Sequence, residues 1–147
     1  MLFLYSFLTK YKIIRKGQFA ANFMHVMRDE KIPFGLYHEN EPCLVSPAYP
    51  VFQLKSEKAI PEYFMLWMNR DESDRYAWFI SDSSIRGGLE MNRFYETEVP
   101  LPTIEQQESV VNFYNAKRLI LQNINKLNKL LEEICPVLIK GAMEERT

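Results

Sequence analysis

The chain has 147 residues, 47% of them hydrophobic and 25% charged, with 18 basic against 19 acidic side chains. That length fits one domain with an appendage and buries a core without disulfide staples, and the ordinary composition, with only 5 glycines, excludes disordered or collagen-like material. A net charge of −1 supplies no whole-chain attraction to nucleic acid or to an anionic membrane.

Met1–Leu8 is apolar, but no basic residue precedes it and it runs into Lys10, Lys12, Arg15 and Lys16 without a small-residue cleavage site. It is expected to be an exposed strand stub, or a start placed inside a longer ancestral frame, rather than a signal peptide. No stretch approaches the ~20 apolar residues of a membrane span. Tyr11–Ile14, Gln18–Met24, Ile32–Tyr37 and Cys43–Leu54 are rich in aromatic and β-branched residues and read as strands, the last interrupted by Pro47 and Pro50. Pro61–Asn69 places proline in a first helical turn ahead of one broad apolar face, which predicts a packed helix. Asp71–Ile80 either continues it or forms a second helix. Ser81–Gly88 reads as a polar loop, and Glu90–Pro100 as a short turn followed by a strand.

The chain changes character at Val99–Thr103. Thr103-Ile-Glu-Gln106 is a capping box, and helix is predicted from Ile104 to about Cys135, where Pro136 intervenes. Val110, Phe113, Lys117, Ile120, Ile124, Leu127, Leu131, Ile134 and Leu138 recur in steps of three and four, and all but Lys117 are apolar. This is a bundle or coiled-coil seam, widened by Leu121 and Leu130. A helix of roughly 48 Å, at 1.5 Å per residue, cannot hide such a stripe against a domain of this size, so part of it is expected to meet another helix. The predicted organisation is an α+β domain over 1–102 and a helical segment over 103–147.

Chemistry-bearing motifs are sparse. There is no Gly-x-x-x-x-Gly-Lys-Ser/Thr phosphate loop, no Gly-x-Gly-x-x-Gly and no Gly-x-Ser-x-Gly elbow, and His25 and His38 have no zinc-ligand spacing. Asp29-Glu-Lys31 matches half of a metal-dependent nuclease site, but residues 1–28 contain no Asp or Glu to complete it. Ser46-Pro-Ala-Tyr49 resembles the base-holding turn of amino-methyltransferases, but a glycine-bearing cofactor loop is missing, so a proline-shaped turn between strands is expected. Cys43 and Cys135 are expected to be reduced, partly buried thiols of a cytoplasmic protein. No metal or cofactor is expected.

Charge is uneven. Residues 1–40 carry 6 basic and 3 acidic side chains, 41–100 carry 6 and 10, and 101–147 carry 6 and 6. The basic end includes Lys10, Lys12, Arg15, Lys16, Arg28 and Lys31, with His25 and the base-reading amide of Asn22 among them. Ser81, Ser83, Ser84 and Arg86 form a second polar cluster beside Gly87-Gly88. From composition alone both clusters also fit an ordinary solvated face.

Taken in order, Tyr11–Ala20, Met24–Pro33, Val45–Phe52, Pro61-Glu-Tyr63, Ile85–Glu90 and Val99–Gln107 resemble the target-recognition domain of type I restriction–modification specificity subunits. The resemblance covers Tyr11 to about Leu138. It implies a noncatalytic α+β domain that reads a half-site in double-stranded DNA, followed by a helical spacer that docks methyltransferase subunits and, through them, a restriction subunit. On that basis Asn22, His25, Arg28, Lys31, Ser84 and Arg86 are the candidate base-reading residues, and Lys12, Arg15 and Lys16 the candidate phosphate contacts. Phe113, Ile120, Ile124, Leu127, Leu131, Ile134 and Leu138 are the candidate helix interface of a homodimer or helix-paired oligomer. The family usually carries two recognition domains and two spacers, and strands ahead of the Tyr11 segment. One of each is found here, so the domain is expected to be incomplete at its N-terminus. The rival expectation is a protein-interaction module whose long helix works without DNA.

Overall fold

Ten short and long elements follow one another in a computed structural model that describes residues 11–24, 26–82 and 88–144, with side chains as far as Pro136. They are β1 (Lys12–Ile14), β2 (Phe19–Ala21), α1 (Val26–Asp29), β3 (Phe34–Leu36), β4 (Cys43–Val45), β5 (Val51–Phe52), α2 (Pro61–Met68), α3 (Asp71–Ile80), α4 (Met91–Tyr95) and α5 (Ile104–Glu144). The fold class is α+β. Contacts divide the chain into two units, Met1–Glu108 and Ser109–Thr147.

Within the first unit, β2 is the middle strand of an antiparallel sheet in the order β3-β2-β5, with Phe19 opposite Leu36 on one side and Phe52 on the other. β1 and β4 form a separate antiparallel pair, Lys12 opposite Val45 and Ile14 opposite Cys43. Strands of two or three residues make too few ladder bonds to stand alone, so side-chain packing has to hold them. Phe19 is fully buried, and its ring lies 5.3 Å from that of Phe34, 5.6 Å from Phe52 and 5.4 Å from Phe64. Phe94 joins from α4, 4.9 Å from Phe23 and 5.4 Å from Phe52. Tilted and edge-on rings at these separations add attraction beyond the area they bury.

The strands are shorter than predicted because backbone pairing continues without regular strand geometry. Asn22 donates its N–H to Pro33 and Tyr37 donates to Gln18. The chain then turns into α1, which the sequence did not signal and which ends on Glu30 at φ 51°, a left-handed position unusual for a residue with a Cβ. α2 and α3 are two helices, broken at Asn69-Arg70, where the N–H of Asn69 closes the first on Met65 and those of Ser73 and Asp74 open the second on Arg70.

Three expectations need correction. Residues 96–100 form no strand: α4 occupies Met91–Tyr95, because one helical turn delivers Phe94 into the core, and Pro100 and Pro102 cannot donate to a ladder. The last helix does not stop at Cys135 but runs through Pro136 to Glu144. Proline removes one backbone bond, and the helix formers on both sides of it sustain the rest. Both cysteines are exposed rather than partly buried, since Cys43 sits in a two-stranded pair and Cys135 lies on the open surface of α5.

The predicted capping box is present: the N–H of Gln106 donates to Thr103 Oγ1 at 3.4 Å, and the N–H of Thr103 donates to Gln106 Oε1 at 3.1 Å. The next residue, Gln107, is fully buried. Its Oε1 accepts from the N–H of Ile60 at 2.9 Å, and its Nε2 donates to the carbonyls of Lys58 and Pro102, both at 2.8 Å. A carboxylate there keeps the acceptor and loses both donors. Gln107→Glu is therefore expected to destabilise the first unit by about 2–3 kcal/mol in urea unfolding at neutral pH, whereas Gln106→Glu, at the exposed capping position, should be close to neutral.

Candidate nucleic-acid interface

The candidate contacts fall into two groups at opposite ends of β2. Lys12 lies on β1, and Arg15 and Lys16 occupy the turn that follows, closed by the N–H of Gln18 donating to Arg15 at 3.0 Å. Gly17 takes φ 79° in that turn, and its N–H donates to Tyr37 at 2.9 Å. A side chain at Gly17 would strain this left-handed backbone, so the turn that presents Arg15 and Lys16 depends on glycine. Asn22, Arg28 and Lys31 lie beyond the far end of β2. Gln18 and Asn22 are separated by about 13 Å of strand at roughly 3.3 Å per residue, so a single surface using both groups has to span the strand.

Several of these side chains already have partners. Lys12 Nζ donates to the carbonyl of Tyr49 at 2.8 Å, which ties β1 to the Ser46–Tyr49 turn, and that turn joins β4 to β5 as its proline predicts. Lys16 Nζ donates to Asn40 Oδ1 at 2.9 Å. Asn22 is half-buried, and its Oδ1 accepts from the N–H of Met24 at 3.1 Å, so this amide oxygen shapes the backbone ahead of α1. Arg28 grips Asp29 in a two-pronged pair, Nε to Oδ1 at 2.7 Å and the terminal nitrogen to Oδ2 at 3.1 Å. Those hydrogen bonds first, and the Asp29 charge second, raise the Arg28 pKa above its ordinary value. Arg15 and Lys31 are exposed, and neither side chain has a hydrogen bond or ion pair among the described residues. His25, Ser84 and Arg86 lie outside the described residues.

The helix-interface candidates Phe113, Ile120, Ile124, Leu127, Leu131 and Ile134 are all exposed, Phe113 at 75%. Leu119, Leu121 and Leu130 are exposed as well and broaden the strip. Leu138 is within α5, and its side chain lies outside the described residues. Ten exposed Val, Leu, Ile and Phe side chains from Val110 to Ile134 form far more apolar surface than scattered surface leucines do.

Sequence reading did not single out Gln107 or the outer face of α3, where Tyr76, Trp78 and Phe79 are exposed. The signal was present in Asp71–Ile80, whose aromatics are too many for the single buried side of a ten-residue helix. Among the described residues, no three His, Cys, Asp or Glu side chains are grouped to hold a metal ion, and no helix is long and apolar enough to cross a membrane. Neither a protein-family model nor a curated protein matches the chain.

The guanidinium geometry that Arg28 uses on Asp29 is the one it would use on a phosphate or a guanine edge. If Arg28 contacts DNA, Asp29 competes with that contact. Asp29→Asn is then expected to raise duplex affinity several-fold at low salt, measured by fluorescence anisotropy, and Arg28→Ala to abolish the gain.

Proposed function

We propose that the chain is a noncatalytic DNA sequence-recognition subunit, or fragment, of a type I restriction–modification complex. In this reading the first unit contacts a DNA half-site, and α5 pairs with another helix and docks methyltransferase subunits. The observation that carries the reading is the exposed apolar seam of α5, interrupted only by Lys117 among its positions from Val110 to Ile134, in the same chain as a small α+β domain whose N-terminal portion is basic. A seam of this kind costs solubility unless a helix covers it, and spacer pairing accounts for it. Such a subunit works in the cytoplasm beside its DNA and its partners.

Within this reading, Lys117 favours antiparallel pairing. A parallel pair places Lys117 of both helices in one layer, ammonium against ammonium. The antiparallel register that sets Ile124 against Leu127 also sets Ile120 against Leu131 and Lys117 against Ile134. Each lysine then faces an apolar side chain whose length it can run along while its charge reaches water. Leu127→Asp is expected to convert the pair to monomer in sedimentation equilibrium, while Lys117→Leu should tighten it.

The test of the DNA role is titration of a randomised duplex pool and its selected sequences, with and without methyltransferase subunits. Sequence-selective retention that requires the partner supports the proposal. Arg15→Ala is expected to lower the salt slope of binding by about one without changing sequence preference, and Lys31→Ala, at a candidate base contact, to relax the preference at one position of the site. The local bonding of Lys12, Lys16, Asn22 and Arg28 favours a second reading, a protein-interaction module that uses α5 alone. Partner binding that never yields sequence preference would establish that alternative.

A further inference from the structure

The outer face of α3 has chemistry that a DNA contact does not use. Its two flanks each border a cleft. The first cleft, about 470 Å³, is walled by Trp67, Arg70, Glu72, Tyr76, Glu96 and Glu98 over a floor that includes Met68, Ala77 and Phe94. The second, about 440 Å³, is walled by Glu30, Asp71, Asp74, Arg75 and Trp78. At 3.6 residues per turn the two sets of α3 residues fall on opposite sides of the helix axis. Phe79, 77% exposed, lies on the crest between them, with Tyr76 and Trp78 exposed to either side.

Both clefts are acidic. The first is lined by Glu72, Glu96 and Glu98 and by one cation, Arg70, whose guanidinium is stacked 3.4 Å from the centre of the Trp67 ring and donates to the Trp67 carbonyl at 3.1 Å. The second is lined by Glu30, Asp71, Asp74 and Arg75; Asp74 Oδ1 accepts from the N–H of Ile32 at 2.9 Å, and Arg75 pairs loosely with Glu72 across the crest at 3.8 Å. Phosphate backbones are repelled by such rims. Ammonium and guanidinium groups set between apolar side chains match them: the carboxylates take the charge, and the apolar floor and exposed rings take the anchors.

We propose that the two clefts and the aromatic crest of α3 form one docking site for a basic polypeptide segment of another protein, with apolar anchors flanked by lysine or arginine. A small amine would fill one cleft and leave the crest bare. A polypeptide crosses α3 and uses both clefts, and Tyr and Trp anchors of this kind carry much of the energy at protein interfaces. The proposal does not rest on the DNA-recognition reading.

The chain contains two tryptophans, Trp67 beside the first cleft and Trp78 beside the second, so each cleft has its own fluorescent reporter. The full chain, and its Trp67→Phe and Trp78→Phe variants, would be titrated with a synthetic octapeptide of four lysines around two leucines and two phenylalanines. The controls are the same peptide with glutamate for lysine, and with glycine for the apolar residues. Saturable changes at both tryptophans are expected, weakened by salt and by about tenfold or more with either control peptide. The double variant Glu96→Lys/Glu98→Lys should lose the Trp67 response, and Asp71→Lys the Trp78 response, with far-UV circular dichroism unchanged. Equal affinity for the lysine and glutamate peptides, no saturation at about 1 mM, or indifference to charge reversal would overturn the proposal. So would self-association abolished by Phe79→Ser, which would assign the face to a second copy of the chain. Duplex DNA competing for the same tryptophan responses would overturn it as well.

Discussion

Phe19 is the residue on which the first unit depends. Its strand is three residues long and its sheet has only three strands, so the ladder supplies a handful of backbone bonds and little enclosure. The ring of Phe19 meets rings from β3, β5 and α2, and through Phe52 and Phe34 this cluster reaches Phe94 on α4. Four elements far apart in sequence are thereby fixed around one side chain. Truncation of a fully enclosed phenylalanine costs about 3–5 kcal/mol, a large share of the margin of any small domain.

Gln107 does with polar groups what Phe19 does with apolar ones. Its amide satisfies a donor and two acceptors that the turn before α2 and the chain before α5 would otherwise leave unpaired in a buried place. The capping box one residue earlier starts the helix, and Gln107 binds that start into the first unit. This is why the contact boundary falls after Glu108 rather than at the prolines. Capping alone would set where the helix begins without binding it to the turn before α2.

The near-zero net charge hides a division of labour in the surface. Cations concentrate on β1 and the turn after it, the α1 segment balances Arg28 and Lys31 against Asp29 and Glu30, and carboxylates gather around α3 and the 96–98 stretch. The two proposals draw on opposite sides of this division, a polyanionic neighbour for the basic portion and a basic one for the acidic clefts. Much of the cationic side is already engaged with local carbonyls, amides and Asp29. Any ligand there has to exchange those bonds for its own, which favours selectivity over raw affinity.

Local signals were strong enough to read without a structure where neighbours in sequence decide the outcome. Proline at the start of α2, the Thr103–Gln106 box and the three-and-four spacing of α5 each act within a turn or two of helix, and each appears as predicted. The interruption of Cys43–Leu54 by its prolines was legible for the same reason. What the sequence could not decide depends on partners distant in the chain. Phe94 sits in a helical turn rather than a strand because rings from residues 23, 34 and 52 surround it. Gln107, one polar residue among many, is buried because residues 58, 60 and 102 present unpaired backbone groups to it. Asn22 and Arg28 looked like free recognition groups in sequence, and folding gave each a local partner. The sequence by itself determined the α+β class and the helical seam, because periodicity and caps are short-range. Only the tertiary structure decided which polar groups are spent on the fold and which faces remain open, because burial and hydrogen-bond satisfaction are settled by residues that meet in space.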